Sequence, residues 1–523
     1  MKAERKEYNK GEAPGNGRFG ALSRHLKELG KHGAIYGLGS MMSRLVGFLL
    51  IPLYAHFLTP ADYGVLQLIY ITTETVAIIS GLKLSVAMFR LYHEADTPGE
   101  RNAVISTALI GGLGLGVLLI GPLLLISPWL AGFILEGEGQ GVLFRIAVSS
   151  LCLQFPSSIV MSYLQIKERS LLYVGITTSR LIVSVGLNIY FVVVLRSNVI
   201  GILMAGLLID VVSSAILIPW VFSRCGFHFS PVWFREMIQF GLPLVPGSLA
   251  SMVTHASDRY FIRAYLSVAA AGVYSLGYKM GSSIHSFFYV PFGQIWNTRR
   301  FVIEKEPEAK RIYAKVCTYF IGIMSFVGLG MSLFAKDIIM IISSDKYWDS
   351  AGIIPFVVLS YVVYSLEDHV STGSWLKKRT GGIGVVVLVS GAVNIGLNFV
   401  LIPIFGMYGA VLATLLSFIV RNVGLYYFSN RLYQIPFEWG RLSFVFGICI
   451  ILYFVGNSLS WLRPWLRILV DFGLWICYPL AVYVLLLDGE ERGGVKKILG
   501  FVREKIQLYF LIGLKARVKE DLE

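Results

Sequence analysis

An all-α polytopic membrane protein of about fourteen transmembrane helices is what this sequence predicts, on three observations. Apolar runs long enough to cross a bilayer recur from residue 35 to residue 487, Lys and Arg collect in every second connecting loop, and two stretches recur about 208 residues further on. Each observation fixes a different part of the architecture.

The runs set the helix count. A chain of 523 residues that is 55% hydrophobic and 15% charged carries more apolar surface than a water-soluble fold of that size can hide. A helix needs about 20 apolar residues to span the hydrocarbon core. Runs of that kind cover 35–57, 64–89, 103–126, 141–164, 171–195, 199–222 and 236–264, then 268–296, 312–335, 350–375, 382–404, 407–429, 442–461 and 467–487. Their ends are fixed to within about 2 to 4 residues, and no loop between them is long enough for a separate soluble domain.

The cations set the orientation. With a cytoplasmic N-terminus, 33 of the 46 Lys and Arg fall inside and six (Arg196, Arg263, Lys336, Lys346, Arg463, Arg467) outside. That asymmetry puts both termini in the cytoplasm. The net charge of +14 thereby finds its reason in membrane anchoring, and no RNP, zinc-finger or helix-turn-helix pattern points to nucleic acid. The basic stretch at residues 22–31 precedes the first run without a cleavage-site pattern, so insertion without a removed signal peptide is expected. Five scattered cysteines, none in CxxC spacing, predict packing rather than a metal or a disulfide framework.

The repeat sets the symmetry. Phe57-Leu58-Thr59-Pro60 through Gly64-Val65 matches Tyr265-Leu266-Ser267-Val268 through Gly272-Val273, and Gly186-Leu187-Asn188 matches Gly396-Leu397-Asn398. Gly201 and Ala205 match Gly409 and Ala413 in the same order. A unit of six helices starts and ends on one side, so two copies share orientation about a pseudo-two-fold axis along the membrane normal. The expected organisation is a basic N-terminal segment (1–34), an N-lobe (35–223), a C-lobe (224–435), two accessory helices (436–488) and a basic tail (489–523). Within that tail, 495–514 alternates cations with apolar residues, as an interfacial segment does.

Seven cations lie within runs: Arg44, Lys83, Arg145, Arg180, Arg259, Lys279 and Arg421. A cation at mid-membrane costs roughly 2.5–3.5 kcal/mol even on lenient scales and should face a wet cavity or a partner. Arg44, about 15 Å along the first helix at ~1.5 Å per residue, and Lys279 and Arg180 at comparable depth, are central. Arg259 lies further out beside Asp258, while Arg145, Lys83 and Arg421 read as end residues snorkelling to headgroups. The intramembrane acids are Glu74, Asp210, Asp258, Glu367 and Asp368. Glu74 and Asp210 are the central ones, fit either to bind H+ or Na+ in one state and release it in another, or to neutralise the cations; Asp258 fits the orienting of Arg259. His255, His285 and His369 do not have metal-ligand spacing. Pro52 and Pro243 would allow bends in the first and seventh helices.

Four stretches carry a resemblance: Ser43-Arg44-Leu45-Val46-Gly47-Phe48 to Pro52 with Phe57-Leu58-Thr59-Pro60; Gly241-Leu242-Pro243 with Asp258-Arg259-Tyr260-Phe261 and Tyr278-Lys279; Lys378-Arg379-Thr380 with Asn394 to Asn398; and Leu401-Ile402-Pro403 to Gly406 with Gly409-Ala410. Over residues 35–430 the chain resembles the polysaccharide transporter (Wzx-type oligosaccharide flippase) branch of the multidrug/oligosaccharidyl-lipid/polysaccharide exporter superfamily. The resemblance implies two six-helix lobes around a central cavity and, as function, alternating-access translocation of a polyprenyl-diphosphate-linked oligosaccharide across the cytoplasmic membrane for surface polysaccharide. No enzyme activity and no cofactor beyond H+ or Na+ coupling is expected. The diphosphate and glycan would meet Arg44, Lys279, Arg259 and Arg180, with Glu74, Asp210 and Asp258 as coupling or balancing acids. Membrane lipids, and a polysaccharide polymerase and glycosyltransferases, are the partners it implies. Ser43-Arg44 also resembles the first helix of lipid II flippases, but apolar residues stand where those proteins carry a following acid and a second base. An ion-coupled organic-cation exporter is the other reading within the superfamily, and no GxxxxGK[ST] loop supports an ATP-driven pump.

Overall fold

The computed structural model describes residues 45, 47–135, 140–489 and 491–493, which form helices joined by short turns with no strand among them. Among the described residues twelve helices are long and apolar enough to cross a membrane, from Pro60–Glu94 to Pro464–Leu485. They correspond to the second to seventh and ninth to fourteenth expected runs. Of the first run only the apolar helix Gly47–Phe57 is described. The eighth is not continuous: Val268–Gly281 and Val290–Ile303 flank a π-helical turn, His285–Tyr289.

The repeat is visible in how the chain packs. Thr59 and Ser267, equivalent in the two copies, each cap the next helix, accepting from the backbone N–H of Asp62 and Ala270. Thr59 completes a capping box with Asp62. The two capped helices then cross at Gly64 and Gly272. A Cβ on Gly64 would run into the carbonyl of Val268, and one on Gly272 into the carbonyl of Pro60. Pro60 and Val268 are themselves repeat equivalents, so the contact is reciprocal, as a two-fold relation between the copies requires. Only glycine permits this approach of backbone to backbone.

Two compact units emerge. One contains the spans up to the eighth and the tenth to twelfth; the other is built from Pro307–Ala335 and the chain from Ile435 on. In the first unit, span seven is broken at the 3-10 turn Leu242–Leu244, which includes Pro243. Its first part, Pro231–Gly241, buries Met237 with Leu84, Met88, Leu91, Ile105 and Val221 of the first six spans. Its second part, Val245–Ala256, lies against span eleven, where Gly391 leaves room for the backbone of Ala250. Span two breaks at the same place: Leu82 and Lys83 take left-handed φ of 44° and 54°, and the Leu82 carbonyl sits where a side chain on Gly241 would be.

In the second unit, Trp475 stacks on Phe326 at 4.7 Å and donates to its carbonyl at 3.0 Å, while the Tyr478 hydroxyl donates to Gly322. At its charged end Glu491 accepts from Tyr319 at 2.7 Å and pairs with Lys315 at 2.9 Å and Arg441 at 3.2 Å. Burial pushes the Glu491 carboxyl up, but these partners and the Asp488 N–H outweigh it and take it from 4.5 down to about 2. A folded-state value below the unfolded one stabilises fully above about pH 4.5 and is lost as pH falls toward about 2. Thermal unfolding of the solubilised protein between pH 7 and 3 is therefore expected to show an acid-side loss of stability that Glu491→Gln diminishes; superimposable pH dependences would refute this.

Candidate functional site

Lys279 occupies the helix Val268–Gly281 and is half-buried. Its Nζ lies 3.9 Å from where a Cβ on Gly47 would stand, so the first helix passes directly over it and does so at a glycine. No acidic side chain among the described residues pairs with it. A half-buried ammonium without a counter-ion in a helix of this depth must meet water or an anion supplied from elsewhere. Arg44, expected beside it, lies outside the described residues.

Arg259 is in a different situation. It is 7% exposed, and its Nη1 donates to Asp258 at 2.6 Å and to the His255 carbonyl at 2.6 Å. The Tyr278 ring covers the guanidinium at 3.9 Å and the Tyr274 ring at 5.2 Å, while the Tyr274 hydroxyl donates to Asp258. Both charges are thus spent on each other and on aromatic faces.

The same region holds a constellation that run-by-run reading does not assemble. Tyr361 bridges the Tyr278 hydroxyl at 3.0 Å and the His255 ring at 3.3 Å, and His285 packs against Tyr289, Tyr361 and Tyr364. Arg421 stands behind them. It is 1% exposed, pairs with Glu367 at 3.3 Å, and donates to Ser390 and Ser251. It therefore does not reach out to headgroups as expected: the Arg421-bearing face of span twelve turns inward, where Glu367 of span ten offers a counter-charge. Asp368 accepts from the Tyr289 hydroxyl at 2.8 Å. Among the described residues no three His, Cys, Asp or Glu side chains are grouped to hold a metal.

In the first six spans, Arg180 pairs through Nη2 with Asp210 at 2.6 Å. Asp210, 3% exposed, also accepts from Gln154 at 3.0 Å and from Ser150. The pair lies in the wall of a cavity of ≈ 640 Å³. Glu74, by contrast, is exposed and has no partner among the described residues; with Lys83 it lines a second cavity of ≈ 310 Å³ at the break in span two. The structure thus brings Arg180 to Asp210 and Arg259 to Asp258, and gives Lys279 and Glu74 no partner among the described residues. The hydroxyl-rich lining of the larger cavity was the feature missed in the sequence, although Ser150, Gln154 and Ser157 recur at helical spacing within span four.

Three solved structures share this architecture. A lipid II flippase, MurJ, in an inward closed conformation superposes with a TM-score of 0.72 at 13% identity, covering 87% of this chain and 100% of its own. A multidrug resistance MATE family transporter of the MOP superfamily, inward-facing, gives 0.60 at 14% identity over 79% of this chain and 96% of its own. A MOP superfamily transporter from Pyrococcus furiosus gives 0.52 at 14% identity, with 79% and 96% covered. Identities this low establish the fold alone, a bundle of long apolar helices like theirs. No curated protein matches the sequence. Residues 29–296, however, match the polysaccharide biosynthesis protein family over half of the chain, and the two repeats, the glycine crossing and the transporter fold agree with that match: the chain belongs to the polysaccharide biosynthesis protein family.

Proposed function

We propose that this protein is a flippase that carries a polyprenyl-diphosphate-linked oligosaccharide across the cytoplasmic (inner) membrane by alternating access between its lobes, with both termini in the cytoplasm, for surface polysaccharide such as O-antigen, capsule or exopolysaccharide. The observation that carries the reading is Lys279: a half-buried cation, facing the first helix, for which no described residue supplies an anion. A diphosphate headgroup supplies one, and the polyprenyl chain can stay in lipid while the head crosses. Arg44 is assigned to the same cluster from its place in the sequence. Arg259 and Asp258 position the seventh helix against the eighth. Asp210 neutralises Arg180, which leaves Glu74 as the carboxylate able to take up H+ or Na+.

The organic-cation exporter reading would call for a cavity whose acids are free to meet a cation. Here Asp210, Asp258 and Glu367 each hold an arginine, which favours the anionic-lipid reading. The protein acts as a carrier, not an enzyme, with glycosyltransferases supplying its substrate and a polymerase consuming the product. Deleting the gene is expected to abolish surface polysaccharide and to accumulate the lipid-linked intermediate on the cytoplasmic leaflet, both reversed by the wild-type chain. Unchanged surface polysaccharide in the deletion strain would count against the assignment.

A further inference from the structure

Among spans two, four, five and six, the cavity of ≈ 640 Å³ is of the size that small-molecule sites occupy, about 300–1,000 Å³. Among the described residues its only charged side chains are Arg180 and Asp210, and they are paired at 2.6 Å, so their charges cancel. The rest of its polar lining is hydroxyl and carboxamide: Thr73, Ser150, Gln154, Ser157, Ser158 and Thr177 among them. Two tyrosines, Tyr70 and Tyr173, add aromatic faces.

The hydrogen-bonding capacity left over is of both kinds. Among the described residues Arg180 spends only Nη2, leaving Nε and Nη1 to donate. Gln154 spends its amide N–H groups on Ser150 and Asp210, which leaves its Oε1 to accept. Tyr70 lines this cavity, is 41% exposed, and its hydroxyl makes no bond among the described residues. A ligand that satisfies donors and acceptors together, presents a C–H face to an aromatic ring and carries no charge is a polyol ring. A sugar carboxylate on the remaining N–H groups of Arg180 would set two anions against one guanidinium, and an organic cation would have to share Asp210 with Arg180; either leaves one charge without a counter-charge.

Building on the flippase reading, we infer that this cavity is a subsite for an uncharged sugar residue of the transported glycan, separate from the diphosphate contact at Lys279. Arg180, Gln154 and the Tyr70 hydroxyl bond its hydroxyls, and the Tyr70 ring lies against its C–H face. The test uses the full-length protein in nanodiscs and saturation-transfer NMR. The probes are methyl α-glucoside, methyl α-galactoside and methyl α-rhamnoside, with methyl glucuronide and farnesyl diphosphate alongside. At least one neutral glycoside is expected to give a signal that Gln154→Leu and Tyr70→Phe each reduce at least fivefold and that Lys279→Ala leaves intact. Tyr70→Phe removes a single oxygen and guards against misfolding as the cause. No signal from any neutral glycoside, a stronger signal from the glucuronide, or a glycoside signal indifferent to both variants would overturn the subsite. Farnesyl diphosphate reads the other claim: if it fails to bind in a Lys279-dependent way while the glycoside signal persists, the diphosphate contact falls and the sugar subsite stands.

Discussion

Replacing Lys279 with alanine is expected to lower glycan export by about 10- to 100-fold while the amount of protein in the membrane stays the same. A hydrogen bond to a charged group contributes about 1.5–3 kcal/mol, and each ~1.4 kcal/mol is tenfold in an equilibrium. Abundance should hold because Lys279 has no ion-pair partner among the described residues to strand when it is removed, and a smaller apolar side chain beside Gly47 relieves a desolvated charge. Lys279→Arg keeps the cation and should retain most of the export. The check is surface polysaccharide against immunoblotted membrane protein in a complemented deletion strain. Full export by Lys279→Ala would remove this residue from the substrate path.

Arg421→Met is expected to act on the fold instead, destabilising the protein by about 3–5 kcal/mol, the cost of breaking a buried pair by deleting one partner. Arg421 links four spans through Glu367, Ser390 and Ser251, and without it the Glu367 carboxylate loses its counter-charge. Removing both charges, as Arg421→Met with Glu367→Leu, should recover part of the loss, because no orphaned charge remains. Thermal unfolding of the detergent-solubilised variants measures both. Equal midpoints for wild type and Arg421→Met would show that the pair carries no stability.

These two residues also show what a single sequence can and cannot carry. The depth of Lys279 along one helix follows from counting residues, and the equivalence of Gly64 and Gly272 from the repeat; that these two glycines cross did not follow, because a repeat says which positions correspond and not which ones touch. Arg421 was misread for a physical reason: distance from a span's end says how deep a residue lies, not which way its face turns. That depends on Glu367, 54 residues away in sequence. The Arg180–Asp210 pair was within reach, since both were among the candidate charges, but their contact was not, because spans five and six could meet on several faces. The eighth span read as one helix because hydropathy passes smoothly through His285–Tyr289, where the hydrogen-bond register changes without a change in polarity.

Span seven adds a further case. Its pattern is continuous and apolar, yet Pro231–Gly241 packs into the core of the first six spans while Val245–Ala256 packs on span eleven. The Gly241-Leu242-Pro243 sequence signals a bend; the partners of the two parts are a property of tertiary packing.

Transport by the purified protein tests the central claim most directly. Proteoliposomes would contain a polyprenyl-diphosphate oligosaccharide, with the glycan exposed on each leaflet scored by an impermeant glycosidase. The wild-type chain is predicted to render the protected inner-leaflet fraction cleavable, and Lys279→Ala to leave it protected as in protein-free vesicles. A wild-type protein that leaves the inner pool untouched, yet moves an organic cation against a proton or sodium gradient, would contradict the account.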